Sequence, residues 1–177
     1  MRKIIRRAAA VLLSAALLLA GTASAAAQID PVEERLAAMS LREKVGQLFV
    51  VRVEALDPSG QSDSTRLTWA ERQGLKKYPV GGIVVFRQNV KSPEQLKKFL
   101  ADFQAASGTG LLTAVDEEGG RVARVSTKLG TTAFDPMADY GAAGDAEAVR
   151  QVGATIARDI SQFGFNVDFA PVADVVT

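Results

Sequence analysis

The residues best equipped for chemistry fall in one run, Thr113-Ala114-Val115-Asp116-Glu117-Glu118-Gly119-Gly120-Arg121-Val122-Ala123-Arg124-Val125. Its three consecutive carboxylates are acceptors that can hold hydroxyl groups or cations, and its two arginines are fixed cations with forked donors. An apolar stretch, Leu111 to Val115, climbs directly into the acids. A buried strand ending this way sets charge at the rim of a sheet, where solvent or a substrate reaches it. Gly119-Gly120 lets the backbone turn sharply and lie close to whatever docks there. A hairpin tip with solvated charges accounts for the same letters, so the run acquires meaning only from the elements around it.

Those elements alternate. Ser40-Leu41-Arg42-Glu43 is a capping box that opens a short helix, which runs into a β-branched strand, Leu48 to about Arg52. The stretch Asp57 to Ser64, with Pro58 and Gly60, is the most loop-like. A helix is expected over Thr65 to Lys77 with Leu67, Ala70 and Leu75 inward, stopped by Pro79. Val80 to Phe86 reads as a buried strand, followed by the polar loop Arg87-Gln88-Asn89. Ser92-Pro93-Glu94-Gln95 starts a helix whose Leu96, Phe99, Leu100 and Phe103 form one apolar stripe, and Gly108 and Gly110 end it. After Asp135-Pro136, Asp145 caps a helix facing inward through Val149, Val152, Ile156, Ile160 and Phe163, with Gly164 at its C′ position. A last strand covers Phe165 to Pro171.

Strands alternating with helices predict a parallel sheet with helices outside it. No Gly-x-Gly-x-x-Gly follows a strand and no P-loop is present, so open nucleotide-binding sheets lose their main support. Arg52, Arg87 to Asn89, Asp116 to Glu118 and Asp174 all stand just after strands, where a (β/α)8 barrel collects its functional residues. The expected fold class is therefore α/β, the N-terminal half of a TIM-type barrel, cut after about its fourth strand because a whole barrel needs about 250 residues.

Composition bounds the function. The 177 residues include no cysteine and no histidine. Arg2, Lys3, Arg6 and Arg7 precede an apolar run, Ala8 to Ala20, and small residues up to Ala27, the pattern of a cleavable export signal over residues 1–27 rather than a membrane anchor. Without it the 21 basic residues fall to 17 against 20 acidic ones, so a formal charge of +1 becomes −3. A mildly acidic surface argues against nucleic acid and an anionic membrane as partners, which need clustered Lys and Arg. The expected location is outside the cytoplasm: extracellular, periplasmic or cell-wall associated. Residues 28–177 read as one partial domain.

Four blocks in order carry a family resemblance: Met39 to Phe49; Gly81-Gly82-Ile83-Val84-Val85-Phe86 with Asn89; Asp116-Glu117-Glu118-Gly119-Gly120-Arg121-Val122; and Asn166-Val167-Asp168-Phe169-Ala170-Pro171-Val172-Ala173-Asp174. Together they resemble the N-terminal domain of glycoside hydrolase family 3. The Asp-x-Glu-Gly-Gly-Arg-Val form is similar to the β-N-acetylhexosaminidase branch, whereas the β-glucosidase branch has Asp-x-Val-His-Gly at that point.

The resemblance implies a retaining exo-glycosidase that removes terminal β-linked N-acetylhexosamine (GlcNAc) from glycans such as peptidoglycan. It implies an aspartate nucleophile and a histidine acid/base in later blocks, so no catalytic residue is assigned within these residues. It also implies that Asp116 and Arg124 bind the terminal sugar. Glu118 and Arg121 are expected to brace the loop, Asp174 to cap a loop or line the pocket, and Asp168 to be a structural group on its strand. A salt bridge from Arg124 to Glu117 or Glu118 is the competing account of that arginine. Asp116 and Glu118 share a strand face and cannot flank a scissile bond from opposite sides, which argues against them as the catalytic pair. A calcium site would need six to eight oxygens, and no EF-hand-like spacing appears. No metal or organic cofactor is expected, because hydrolysis of this type is carried by side chains. A β-glucosidase-type member of the family and a non-catalytic sugar-binding module are the alternatives.

Overall fold

The computed structural model describes residues 30–60 and 64–174. The export signal expected over residues 1–27 lies outside them. The chain divides into two units, residues 1–38 and 39–177. The described part of the first is helix α1 (Pro31–Ala38), where the Asp30 carboxylate accepts from the Val32 N–H at 2.9 Å.

The second unit holds α2 (Leu41–Gly46), β1 (Val50–Arg52), α3 (Trp69–Lys77), β2 (Gly82–Val85), α4 (Pro93–Ala106), β3 (Leu112–Val115), β4 (Glu117–Gly119), β5 (Val122–Ala123), α5 (Ser126–Leu129), α6 (Met137–Ala143), α7 (Ala146–Ser161) and β6 (Val167–Asp168). Short 3-10 turns follow β1 (Val53–Leu56) and β2 (Arg87–Asn89). Four strands form a parallel sheet in the order β1-β2-β3-β6, and β4 and β5 form a separate antiparallel hairpin. Within this sheet each strand lies beside the sheet strand made before it. A doubly wound sheet would reverse direction at a switch point, so this single-wound order is the barrel arrangement.

Register decides which strand residues face the helices. Ile83 pairs with Thr113 and Val85 with Val115, and Ile83, Val85 and Val115 belong to the buried cluster with Leu96, Phe99, Leu100 and Phe103 of α4. Val84 and Ala114 pair one position away and so fall on the opposite face. The α4 stripe is buried as its spacing predicts, and Phe99 and Phe103 meet edge to face at 5.1 Å. Helix α7 buries Val152, Ile156 and Ile160, with Phe163 just beyond it, and leaves Val149 half-buried. Asp145 caps α7 through the Ala148 N–H at 3.0 Å. No helix among the described residues is long and apolar enough to cross a membrane.

Several boundaries differ from the sequence expectation: the strand expected over Val80 to Phe86 spans Gly82–Val85, the last one, expected over Phe165 to Pro171, is only Val167–Asp168, and two further differences have a local cause. The first strand begins at Val50 rather than Leu48. The turn after α2 continues through Leu48 N–H to Val45 O and Phe49 N–H to Gly46 O, leaving Leu48 82% exposed. The helix expected from Thr65 starts at Trp69, because Thr68 and Glu71 close a capping box. Glu71 N–H donates to the Thr68 hydroxyl at 3.2 Å, and Thr68 N–H donates to Glu71 Oε2 at 2.7 Å. Glu71 is only 1% exposed, so nothing replaces its carboxylate if it is lost. Glu71→Ala is expected to cost about 1–2 kcal/mol, the worth of a cap plus an orphaned amide, read as a lower denaturant midpoint at unchanged slope.

Side-chain amides fasten the crossovers. Asn89 is fully buried. It accepts from Phe86 N–H at 2.8 Å and donates to Glu54 Oε1 at 2.6 Å and to Ser64 O at 2.8 Å. One amide thus ties the loops after β1 and β2 together at the C-terminal end of the sheet. At the other end, Asn166 accepts from Thr113 N–H and donates to Leu111 O, setting β6 beside β3.

Candidate functional site

The C-terminal ends of β1, β2, β3 and β6 bring Arg52, Phe86, Asp116 and Asp168 to one rim, and the hairpin β4–β5 adds Arg124. Asp116 is the first residue past β3, and Arg124 the first past β5. The Arg124 Nη2 stands 3.4 Å from Asp116 Oδ2, with the two side chains 25% and 22% exposed. A carboxylate and a guanidinium are thus paired yet reachable. The salt bridge to Glu117 or Glu118 considered from sequence does not form; the partner is Asp116.

Phe86 supplies a floor. The guanidinium carbons of Arg124 and Arg52 lie 5.8 Å and 5.3 Å from the centroid of its ring, so one aromatic ring serves two cations. Arg52 also lies 3.5 Å from the buried Glu54 carboxylate.

Glu117 is the functional neighbour that sequence reasoning missed. It is 4% exposed. Its Oε2 accepts from the Arg124 and Val125 N–H groups, both at 2.7 Å, and its Oε1 accepts from Ser126 N–H at 3.0 Å. The hairpin is real, but its central acid is inside it. Gly119 and Gly120 have φ of +83° and +58°, and a side chain on either would strike the segment Phe134 to Pro136, so glycine is required twice. The bracing expected of Glu118 and Arg121 is therefore done by Glu117. Arg121 is exposed and makes no hydrogen bond or ion pair among the described residues. Asp174 is exposed and likewise unbonded. Glu118 lines a cavity of about 240 Å3 with Met137, Val152, Ile156, Asp168 and Pro171.

Asp168 lies behind the hairpin, accepting from Glu117 N–H at 2.9 Å. Burial pushes its carboxyl up to about 6; the Glu117 amide pulls it down, and the nearby Glu117, Asp116 and Glu118 carboxylates add repulsion. The folded state therefore keeps a proton that the unfolded chain releases near its ordinary value of 3.8. The stability this contributes is complete below that value and is lost as pH rises through about 6. Asp168→Asn retains an acceptor for the amide without the charge. It is expected to raise Tm at about pH 7.5 and to leave Tm nearly unchanged at about pH 3, as thermal melts at both pH values would show.

Comparison with known proteins agrees with this geometry. Residues 40–177 match the glycosyl hydrolase family 3 N-terminal domain. A β-hexosaminidase of Neisseria meningitidis is 38% identical over 117 residues, covering 62% of this chain and 32% of that protein. The chain thus spans about a third of the length of such relatives. Among solved structures, a family 3 β-N-acetylglucosaminidase from Paenibacillus superposes with a TM-score of 0.65 at 31% identity, covering 76% of this chain and 24% of that one. NagZ from Neisseria gonorrhoeae, in complex with N-trifluoroacetyl-D-glucosamine, gives 0.55 at 35% identity, covering 64% and 35%. With its parallel strands in barrel order and an acid–arginine pair at their C-terminal rim, the chain belongs to glycosyl hydrolase family 3.

Proposed function

We propose that this chain is the N-terminal part of an exported, retaining exo-glycosidase that removes terminal β-linked N-acetylhexosamine, with Asp116 and Arg124 gripping the terminal sugar. The observation that carries the reading is the Asp116–Arg124 pair, half-reachable at the rim of the sheet. A carboxylate accepts from two vicinal hydroxyls at once. The guanidinium fork supplies donors to the ring oxygens alongside. Relatives named as β-hexosaminidases, and a neighbour solved with an N-acylglucosamine, support the sugar.

A retaining mechanism also needs a nucleophile and an acid/base on opposite sides of the scissile bond. By the family resemblance these belong to later blocks, and the histidine expected as acid/base is not among these residues. The residues described here bind and orient. Peptidoglycan fragments are the GlcNAc-bearing substrate we propose, and the export-signal pattern over residues 1–27 supports export.

The test is hydrolysis of chromogenic β-GlcNAc and β-glucose substrates by the full-length protein. Higher kcat/KM on the GlcNAc substrate is the expected result. Preference for glucose would move the protein to the β-glucosidase branch, and sugar binding without turnover would make it a binding module.

A further inference from the structure

The Arg124 side chain is poorly held by its own contacts. Its one ion pair is long, 3.4 Å, and its Nε is buried without a partner. A buried donor left unpaired costs about 1–3 kcal/mol, so side-chain bonding alone does not explain why the guanidinium stays beside Asp116. Its backbone is held far better. Three successive N–H groups, those of Arg124, Val125 and Ser126, converge on the Glu117 carboxylate at 2.7, 2.7 and 3.0 Å. Hydrogen bonds to a charged group are roughly twice as strong as neutral ones, and this carboxylate is shielded from water. Glu117 is itself fixed from behind, its N–H held by Asp168 on β6.

We infer that Glu117 is a positioning residue for the sugar site, setting Arg124 beside Asp116 by clamping the backbone of residues 124–126. The inference deepens the functional reading above and rests on it for the ligand. It assigns adjacent acids different work: Asp116 meets the sugar, while Glu117 never touches it and acts through Arg124. The same geometry says what an isostere would do here. A glutamine has one carbonyl oxygen, so its NH2 would confront one or two of the three N–H donors, donor against donor.

The test uses the full-length protein with Glu117→Gln, Arg124→Ala and both together. Two measurements are made on each. In the first, amide hydrogen exchange at Arg124, Val125 and Ser126 is expected to quicken at least about tenfold in Glu117→Gln, while amides of β2 and β3 hold their protection. In the second, kcat/KM on a chromogenic β-GlcNAc substrate is expected to fall about ten- to a hundredfold in Glu117→Gln, chiefly through KM. In the Arg124→Ala background the same change should cost no more than about twofold, because the residue it serves is gone. A general loss of packing would instead lower Tm and cost the same factor in both backgrounds. Unchanged exchange at the three amides, or equal losses in both backgrounds, overturns the inference. Absence of turnover by the unaltered protein would sink the hydrolase reading alone, and the clamp would stand or fall on exchange.

Discussion

Asp116→Ala in the full-length enzyme is expected to lower kcat/KM by roughly ten- to several-hundredfold while the protein remains folded. Each charged hydrogen bond to a sugar hydroxyl is worth about 1.5–3 kcal/mol, and about 1.4 kcal/mol is a decade in rate. The terminal sugar distorts on its way to an oxocarbenium-like state, so such bonds act on the transition state as well as on the bound substrate. The alanine also strips Arg124 of its 3.4 Å partner, leaving a part-buried cation facing the pocket. Asp116→Asn keeps one acceptor oxygen and should lose less. A purely structural Asp116 predicts the opposite signature, a lower Tm with near-normal kinetics. Normal kcat/KM in a well-folded Asp116→Ala protein would remove this residue from the site.

Gly74→Ala is expected to cost at least about 3 kcal/mol, the upper range for overpacking, although alanine is the better helix former by about 1 kcal/mol. Gly74 lies in the middle of α3 and is buried against the 3-10 turn Val53–Leu56. An added Cβ would sit within the van der Waals envelope of the Leu56 carbonyl, which is backbone and cannot rotate away. Separation of α3 from the turn is the remaining escape, and that turn carries Glu54, the partner of Asn89. Gly153→Ala in α7 is the control: nothing lies within 4 Å of a Cβ there, so propensity alone acts and stability should rise by about 0.5–1 kcal/mol. Denaturant melts of the two variants decide the matter. Equal stability would show that packing against Leu56 yields more easily than the geometry implies.

The parts of this architecture legible in sequence are those with a local period. Leu96, Phe99, Leu100 and Phe103 announce their own burial, and Asp145 its cap, because the repeat of a helix is written in neighbouring letters. Thr68-x-x-Glu71 was equally legible, and reading it would have placed the start of α3 at Trp69. The sugar-binding roles of Asp116 and Arg124 came from family resemblance, but their pairing was not legible, since seven intervening residues of hairpin hide it from any spacing rule. Glu117 was not legible. Three adjacent acids look alike in one dimension, and only the left-handed turn at Gly119 and Gly120 brings the amides of residues 124–126 under the middle one. Nor does spacing reveal Phe86 as a common floor for Arg52 and Arg124, since the three residues arrive from three different strand ends.

The order β1-β2-β3-β6 has a consequence for how the domain is made. A ribosome delivers the chain from its N-terminus, and in this sheet every new strand finds its neighbour already synthesised. Pairing need never wait for a segment still to be made: β1 to β2 and β2 to β3 each close a single crossover, and only β3 to β6 closes a longer one, carrying the hairpin and α5 to α7. The Asn89 amide, which joins consecutive crossovers, can latch as soon as β2 has emerged. The growing edge passes from β2 to β3 to β6 in turn, presenting one unpaired strand at a time to whatever chaperone or partner segment attends the nascent chain.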